Sequence, residues 1–260
     1  MTLLALSCTL IFVFITMFVS YWKKLDLEKG MAIGSIRAAV QLLAIGYVLH
    51  YVFETEHPMF LVLIISIMIA VASWNAAKRG AGLKGVFWRI ALAITAVEAF
   101  MMLFLIGLGI IEPTAQYIIP LSGMTIGNAM IVAGLFATGI KREIEVSKDE
   151  IETLLALGAT AGQAMQPSMK RAVKFSMIPT IDGLKTVGLV QLPGMMTGMI
   201  IAGADPVEAV RYQLLILFSH AGSAAIVSML LSMLFHPLLF TPDARLRTLG
   251  NGQERVRQIQ

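Results

Sequence analysis

Charge is scarce in this chain. Of its 260 residues only 14% are Asp, Glu, Lys or Arg, while 57% are hydrophobic. An average soluble protein carries about 25% charged residues. With a mean hydropathy of +0.80, too little polar surface remains to coat a globule in water. A soluble enzyme and a disordered chain are both excluded. Cysteine is nearly absent as well: the lone Cys8 sits in an apolar run, so no intramolecular disulfide forms and a disulfide-built secreted domain is excluded.

Catalytic signatures are missing too. No Gly-x-x-x-x-Gly-Lys-Ser/Thr phosphate loop occurs, and Gly80-Ala81-Gly82 and Gly183-Leu184-Lys185-Thr186 lack its spacing. There is no His-Glu-x-x-His, no paired-cysteine motif and no Gly-x-Ser-x-Gly. The chain is therefore expected to be no enzyme and to bind no cofactor. Any ATP and Mg would be used by another subunit. The formal charge of +4 reads as a membrane-topology signal rather than a nucleic-acid one.

What is present is long apolar runs. A helix crosses a bilayer with about 20 mostly apolar residues. Seven stretches meet this requirement: 2–22, 31–53, 58–77, 90–111, 116–140, 186–202 and 210–240. Gln191 and Pro193 interrupt the sixth, and the seventh is long enough to tilt. The first lacks a basic n-region and a small-residue cleavage site, and ends in Tyr21-Trp22-Lys23-Lys24. That marks a retained span with an interfacial anchor, not a signal peptide. The fold expected is all-α and polytopic.

The basic residues give it a direction. Eighteen of the twenty fall in the first, third and fifth loops and the tail, leaving Arg37 inside the second span and Arg211 on the opposite side. The opposite loops carry Glu54, Glu56, Glu112, Asp205 and Glu208. The positive-inside rule then puts the N-terminus outside and the C-terminus in the cytoplasm. Residues 1–240 form the expected transmembrane domain. Residues 241–260 form a polar cytoplasmic tail, expected to be disordered.

The interval from Lys141 to Lys185 is expected to leave the membrane for about 45 residues, far more than a turn needs. Ser147-Lys148-Asp149-Glu150 reads as a capping box, followed by Ile151, Leu154 and Leu155 at helical spacing. Gly158 in Leu157-Gly158-Ala159-Thr160 permits a left-handed cap. The basic stretch from Met169 to Phe175 reads as an amphipathic helix near the headgroups. A solvated loop and a docking element for a cytoplasmic partner both fit these features.

Glu152, followed by Gly158-Ala159-Thr160 with Pro179 further on, resembles the coupling loop of ABC-transporter permeases, whose short helix sits in a cleft of the ATPase subunit. More narrowly, several strings resemble the FetB-type iron-export permease family and its plant relatives in aluminium tolerance. They include Gly127-Asn128-Ala129-Met130, Ile178-Pro179-Thr180, the run from Lys185 to Met196, Ala202-Gly203-Ala204-Asp205-Pro206-Val207 and Tyr212-Gln213. Arg37-Ala38, Gln41-Leu42, Gly46-Tyr47-Val48-Leu49 and Trp74-Asn75-Ala76 fit as well, so the likeness covers about residues 30 to 235. It implies a permease subunit of an ATP-driven transporter, exporting iron or another metal ion. The chain would be a homodimer bound to a separate ATPase, in the plasma membrane (the inner membrane of a bacterium). Plant members extend the substrate range to compounds such as nucleotide sugars. The ATPase-coupling residues would be Glu152, Leu157, Gly158, Ala159 and Thr160. An ion-gradient-driven secondary transporter is the rival, but it predicts an internal repeat, and none is evident.

Polar residues within spans are costly in hydrocarbon and mark partners or pathways. Arg37 and Glu98 either pair structurally or serve transport. Gln41 shares the face of Arg37, while Asn128, Gln191 and His220 are further pathway candidates, though such a residue alone is more often a helix–helix hydrogen-bonding group than a ligand. Glu98, Asn128, Gln191 and His220 together offer oxygen and imidazole donors suited to Fe(II), Mn or Zn. Met195 and Met199 share one helical face, as soft ligands or as adaptable packing. Glu54, Glu56 and His57 form a small acidic cluster on the opposite side. Gly123-x-x-x-Gly127 and Gly194-x-x-x-Gly198 allow close helix approach. Gly188, Pro193 and Gly194, with Gly198, mark the sixth span as broken or hinged.

Overall fold

The computed structural model describes residues 3–55, 58–80, 85–240 and 246. Of the acidic cluster, Glu56, His57 and the side chain of Glu54 lie outside what is described, as does nearly all of the tail. Nine helices make up the described chain: α1 Leu3–Lys23, α2 Glu28–Thr55, α3 Pro58–Arg79, α4 Val86–Gly107, α5 Ala115–Val146, α6 Lys148–Ala156, α7 Ala161–Thr186, α8 Gly194–Ile201 and α9 Pro206–Leu239. They divide into two compact units, Met1–His57 and Pro58–Gln260.

The first unit is a helical hairpin. Lys24 and Asp26, both at positive φ, reverse the chain between α1 and α2. Ser20 ties the turn: its hydroxyl donates to Glu28 Oε1 at 2.9 Å and accepts the Leu27 N–H at 3.1 Å. Lys23 lies over the Trp22 ring, as an interfacial anchor would.

The second unit is a bundle built around α5, which packs on α3, α7 and α9. Side-chain contacts give its directions. The Cβ position of Gly123 faces Met68 and that of Gly134 faces Arg79, so α3 and α5 run parallel. Asn128 reaches His220 and Ser223, and Phe136 meets Phe235 edge-on, so α9 is parallel to both. Gly139 abuts Ala172 and Phe175, and Arg171 pairs with Glu143, so α7 runs the other way. One end of the bundle therefore gathers Arg79, Arg89, Lys141 and Arg142 around α6, consistent with the alternation the positive charges predict.

Five helices among the described residues are long and apolar enough to cross a membrane, within α2, α3, α4, α5 and α9. Seven were expected. The first expected span falls on α1, whose described apolar stretch Thr9–Lys23 ranks among the shorter apolar helices. The sixth is not one helix. α7 ends at Thr186, residues 187–193 are non-helical, and α8 has only 8 residues, about 12 Å at ~1.5 Å per residue.

The interval 141–185 also differs from expectation. α5 carries on to Val146, and α7 is a single 26-residue helix that passes through Pro167 and Pro179 and packs against α5 and α9. Lys185 thus lies at the far end of α7 from α6, about 36 Å along the helix from Ala161. The reason is packing that hydropathy does not register. Ala164, Ser168, Ala172 and Ser176 recur every fourth residue and are buried. Small side chains at that spacing let two backbones approach closely.

Candidate functional site

Two regions of the second unit carry the features that matter: the α6 turn at the basic end, and the polar groups enclosed by the bundle.

α6 is short and shows most of its surface. Ile151 alone is buried, at 1% exposure, while Glu152 and Leu157 are exposed, Leu157 to 79%. The helix ends as the glycine predicts. Gly158 has φ +89, its N–H donates to Leu155 O, and the Ala159 N–H donates to Leu154 O, both at 3.0 Å. These two bonds form a Schellman motif, which uses up carbonyls otherwise left open. Glu152 forms an i,i+4 ion pair with Lys148 at 3.8 Å.

The start of α6 departs from the expected capping box. Ser147 makes no side-chain cap. Its hydroxyl instead accepts from Arg171 Nη2 at 2.9 Å, and the same guanidinium bonds Ser168 and Glu143. The capping box forms one element later. Thr160 Oγ1 accepts the Gln163 N–H at 3.3 Å, and Gln163 Oε1 accepts the Thr160 N–H at 2.9 Å. Arg171 and the Thr160–Gln163 box were missed in sequence, although Thr-x-x-Gln is itself a legible signal. His236 was missed too: its Nε2 is buried without a hydrogen-bond partner, 3.6 Å from where a side chain on Gly162 would begin.

Inside the bundle, the polar candidates are partly brought together. Asn128 Nδ2 donates to His220 O at 2.9 Å and to Ser223 Oγ at 3.1 Å, locking α5 to α9. It is the backbone of His220 that takes part; the imidazole Nε2 is buried and unpartnered. Gln213 Oε1, two turns earlier on the same face of α9, is likewise buried and unpartnered. Glu98 is 3% exposed, and neither carboxylate oxygen has a hydrogen bond of regular geometry among the described residues. The Ser122 hydroxyl is its polar neighbour. Gln191 is exposed in the break between α7 and α8, where its backbone pairs with Gly188 and its N–H donates to Thr186 O. Arg37 and Gln41 are exposed on α2 in the first unit.

Among the described residues no three His, Cys, Asp or Glu side chains are grouped to hold a metal ion. Met195 is half-buried and lines a small apolar cavity of about 50 Å³ with Pro120, Leu121, Met124, Tyr212 and Ile216. That surrounding matches the packing reading of the methionines. Of the two glycine pairs, only Gly123 meets a neighbour, Met68 at 3.0 Å; Gly127, Gly194 and Gly198 face open space. The hinge candidate Gly188 takes φ +85, within the break.

An all-helical membrane bundle with an exposed α6 and this break can be compared with known proteins. Residues 3–240 match the family described as Uncharacterised protein family (UPF0014). The chain belongs to the UPF0014 family. It is 49% identical over 247 residues to the UPF0014 membrane protein YjkA of Bacillus subtilis, covering 95% of this chain and 99% of that one. Protein ALUMINUM SENSITIVE 3 of Arabidopsis thaliana is 36% identical over 242 residues, 93% of this chain and 89% of that one. The probable iron export permease protein FetB of Escherichia coli is 36% identical over 222 residues, 85% of this chain and 86% of that one. No solved structure matches. This UPF0014 member is thus a multi-pass membrane protein whose relatives include a protein named as a permease.

Proposed function

We propose that this chain is the permease subunit of an ATP-driven ABC transporter in the plasma membrane. It works as a homodimer with two copies of a separate ATPase and exports iron or another metal ion. The observation that carries the reading is α6, a short capped helix presented at the basic end between α5 and α7. Its exposed Glu152 and Leu157, with the turn at Gly158-Ala159-Thr160, suit a groove on a partner protein. The similarity to the probable iron export permease protein FetB supports the permease role and iron as cargo. Asn128, Glu98, Gln191 and His220 are the pathway residues of this reading, and Gly188, Pro193, Gly194 and Gly198 its flexible points.

Co-expression with a partner ATPase tests it. The pair is expected to co-purify and to hydrolyse ATP faster when Fe(II) is added. Leu157→Asp is expected to abolish association while the chain still elutes as a folded membrane protein. Failure of the wild-type chain to associate with the ATPase would remove the assignment of α6.

A further inference from the structure

At the basic end of the bundle, one buried nitrogen has nothing to bond. His236 lies in the last turn of α9, its ring against Phe240, and its Nε2 is buried without a hydrogen-bond partner. Folded proteins leave few such groups, so this one calls for a reason. The start of α7 holds the complementary groups. A helix leaves its first four N–H groups without intrahelical partners. Here the Gln163 N–H is capped by Thr160 Oγ1 and the Ala164 N–H reaches Thr160 O. The N–H groups of Ala161 and Gly162 have no acceptor among the described residues.

An imidazole that carries its proton on Nδ1 accepts at Nε2. A free acceptor therefore lies beside two free donors with no bond between them. Glycine at 162 keeps the approach open: a Cβ there would meet Nε2 at 3.6 Å, an ordinary contact, and would bar anything closer. Both sides of the gap are built to shift. Ile151 of α6 and Leu238, Leu239 and Phe240 at the end of α9 belong to one buried cluster, with Ala161 packed against it. Pro237 follows His236 directly; it removes the amide bond to Met233 O and crowds that carbonyl, so α9 is softened at this turn. Further back, Asn128 and Phe136 hold α9 to α5.

We propose that His236 is a positioning residue, a latch through which α6 acts on α9. Movement of α6 carries the start of α7 with it and brings the Ala161 or Gly162 N–H onto Nε2, so that the end of α9 follows α7. The latch is open in the state described here. The proposal rests on the docking of α6 in the preceding reading, but not on the identity of the cargo.

The test uses the full chain bound to its partner ATPase. Amide hydrogen exchange at Ala161 and Gly162 is compared between the nucleotide-free and the ATP-loaded complex. In the wild type it is expected to differ by about three- to ten-fold, which is what one added hydrogen bond of ordinary net strength gives. His236→Phe keeps a ring against Phe240 but has no acceptor, and should exchange fast in both states. Gly162→Ala should also lose the difference, although alanine is the better helix former and α7 is no less stable. His236→Gln, whose side-chain oxygen can stand in for Nε2, should recover part of it. All three variants are expected to co-purify with the ATPase as the wild type does. A difference that survives in both His236→Phe and Gly162→Ala overturns the latch and leaves the docking of α6 standing. A bound wild type that shows no difference overturns the latch as well. A wild type that does not bind the ATPase removes the docking of α6, and the latch with it.

Discussion

Arg171 of α7 pairs with Glu143 of α5 across 28 positions of sequence, and the same guanidinium holds Ser147 and Ser168. One side chain therefore ties together the end of α5, the residue that precedes α6, and the helix that follows it. Arg171→Ala removes three bonds, leaving Glu143 partly solvated and the hydroxyls of Ser147 and Ser168 buried. A charge-assisted bond contributes about 1.5–3 kcal/mol when shielded, and this one is half-exposed, so about 1–2 kcal/mol is expected. Thermal unfolding in detergent should fall by about 2–6 °C. Limited proteolysis should cut more readily between Val146 and Thr160. Unchanged melting and cleavage would reduce the cluster to a surface decoration.

Gly158→Ala tests the end of α6. Nothing crowds the position, so the whole cost comes from holding a side chain at φ +89. That conformation costs an L-residue about 1–2 kcal/mol. Asn tolerates it better. ATPase binding should weaken in Gly158→Ala and recover partly in Gly158→Asn, measured by co-purification. Equal weakening in the two variants would show that the mere presence of a side chain matters there and the left-handed conformation does not.

Asn128 and Ser223 form a measurable pair. Hydrogen bonds between helices in membranes contribute about 0.6 kcal/mol on average and up to about 1.7. Asn128→Ala and Ser223→Ala should therefore each lower stability modestly, and the double mutant should lose less than the sum. Additive losses would mean that the bond to Ser223 carries nothing and that Asn128 acts through His220 O alone.

Glu98→Gln keeps the volume of a buried side chain whose oxygens lack regular hydrogen bonds. A purely structural carboxyl group whose polar neighbour is the Ser122 hydroxyl would lose little by becoming an amide. Stability should be unchanged or slightly higher, while cellular iron should rise if Glu98 belongs to the export path. Unchanged iron in cells that express the variant normally would return Glu98 to a packing role.

The cores of the long helices were legible because their apolar runs exceed a bilayer's thickness: α3, α4, α9 and the start of α5 fall within about four residues of expectation. The break was legible from Gly188, Pro193 and Gly194, and the end of α6 from Gly158, because glycine and proline act on the backbone directly. α7 was not. Its contact face is Ala164, Ser168, Ala172 and Ser176, which hydropathy scores as neutral, and its Pro167 and Pro179 argue locally against a helix that packing sustains. Ser147 misled for a related reason: a cap is a local bond, and Arg171, 24 positions away, competes for the same hydroxyl. Within the site, Asn128 and His220 were both singled out, but not that the histidine's carbonyl is what the asparagine holds.

α5 is a 32-residue rod pinned near its middle by the Asn128 bonds to α9. Its Val146 end adjoins α6, about 27 Å from the pin, while Pro120 lies about 12 Å away on the other side. Such a rod is a lever with unequal arms. Sideways travel at α6 arrives at Pro120 reduced by roughly half, with correspondingly greater force, by the ratio of those lengths. Beyond Pro120 the missing amide hydrogen bond softens the helix, so the short arm ends there. In the proposed transporter, this gearing would suit an ATPase that moves α6 far and a passage that opens by little.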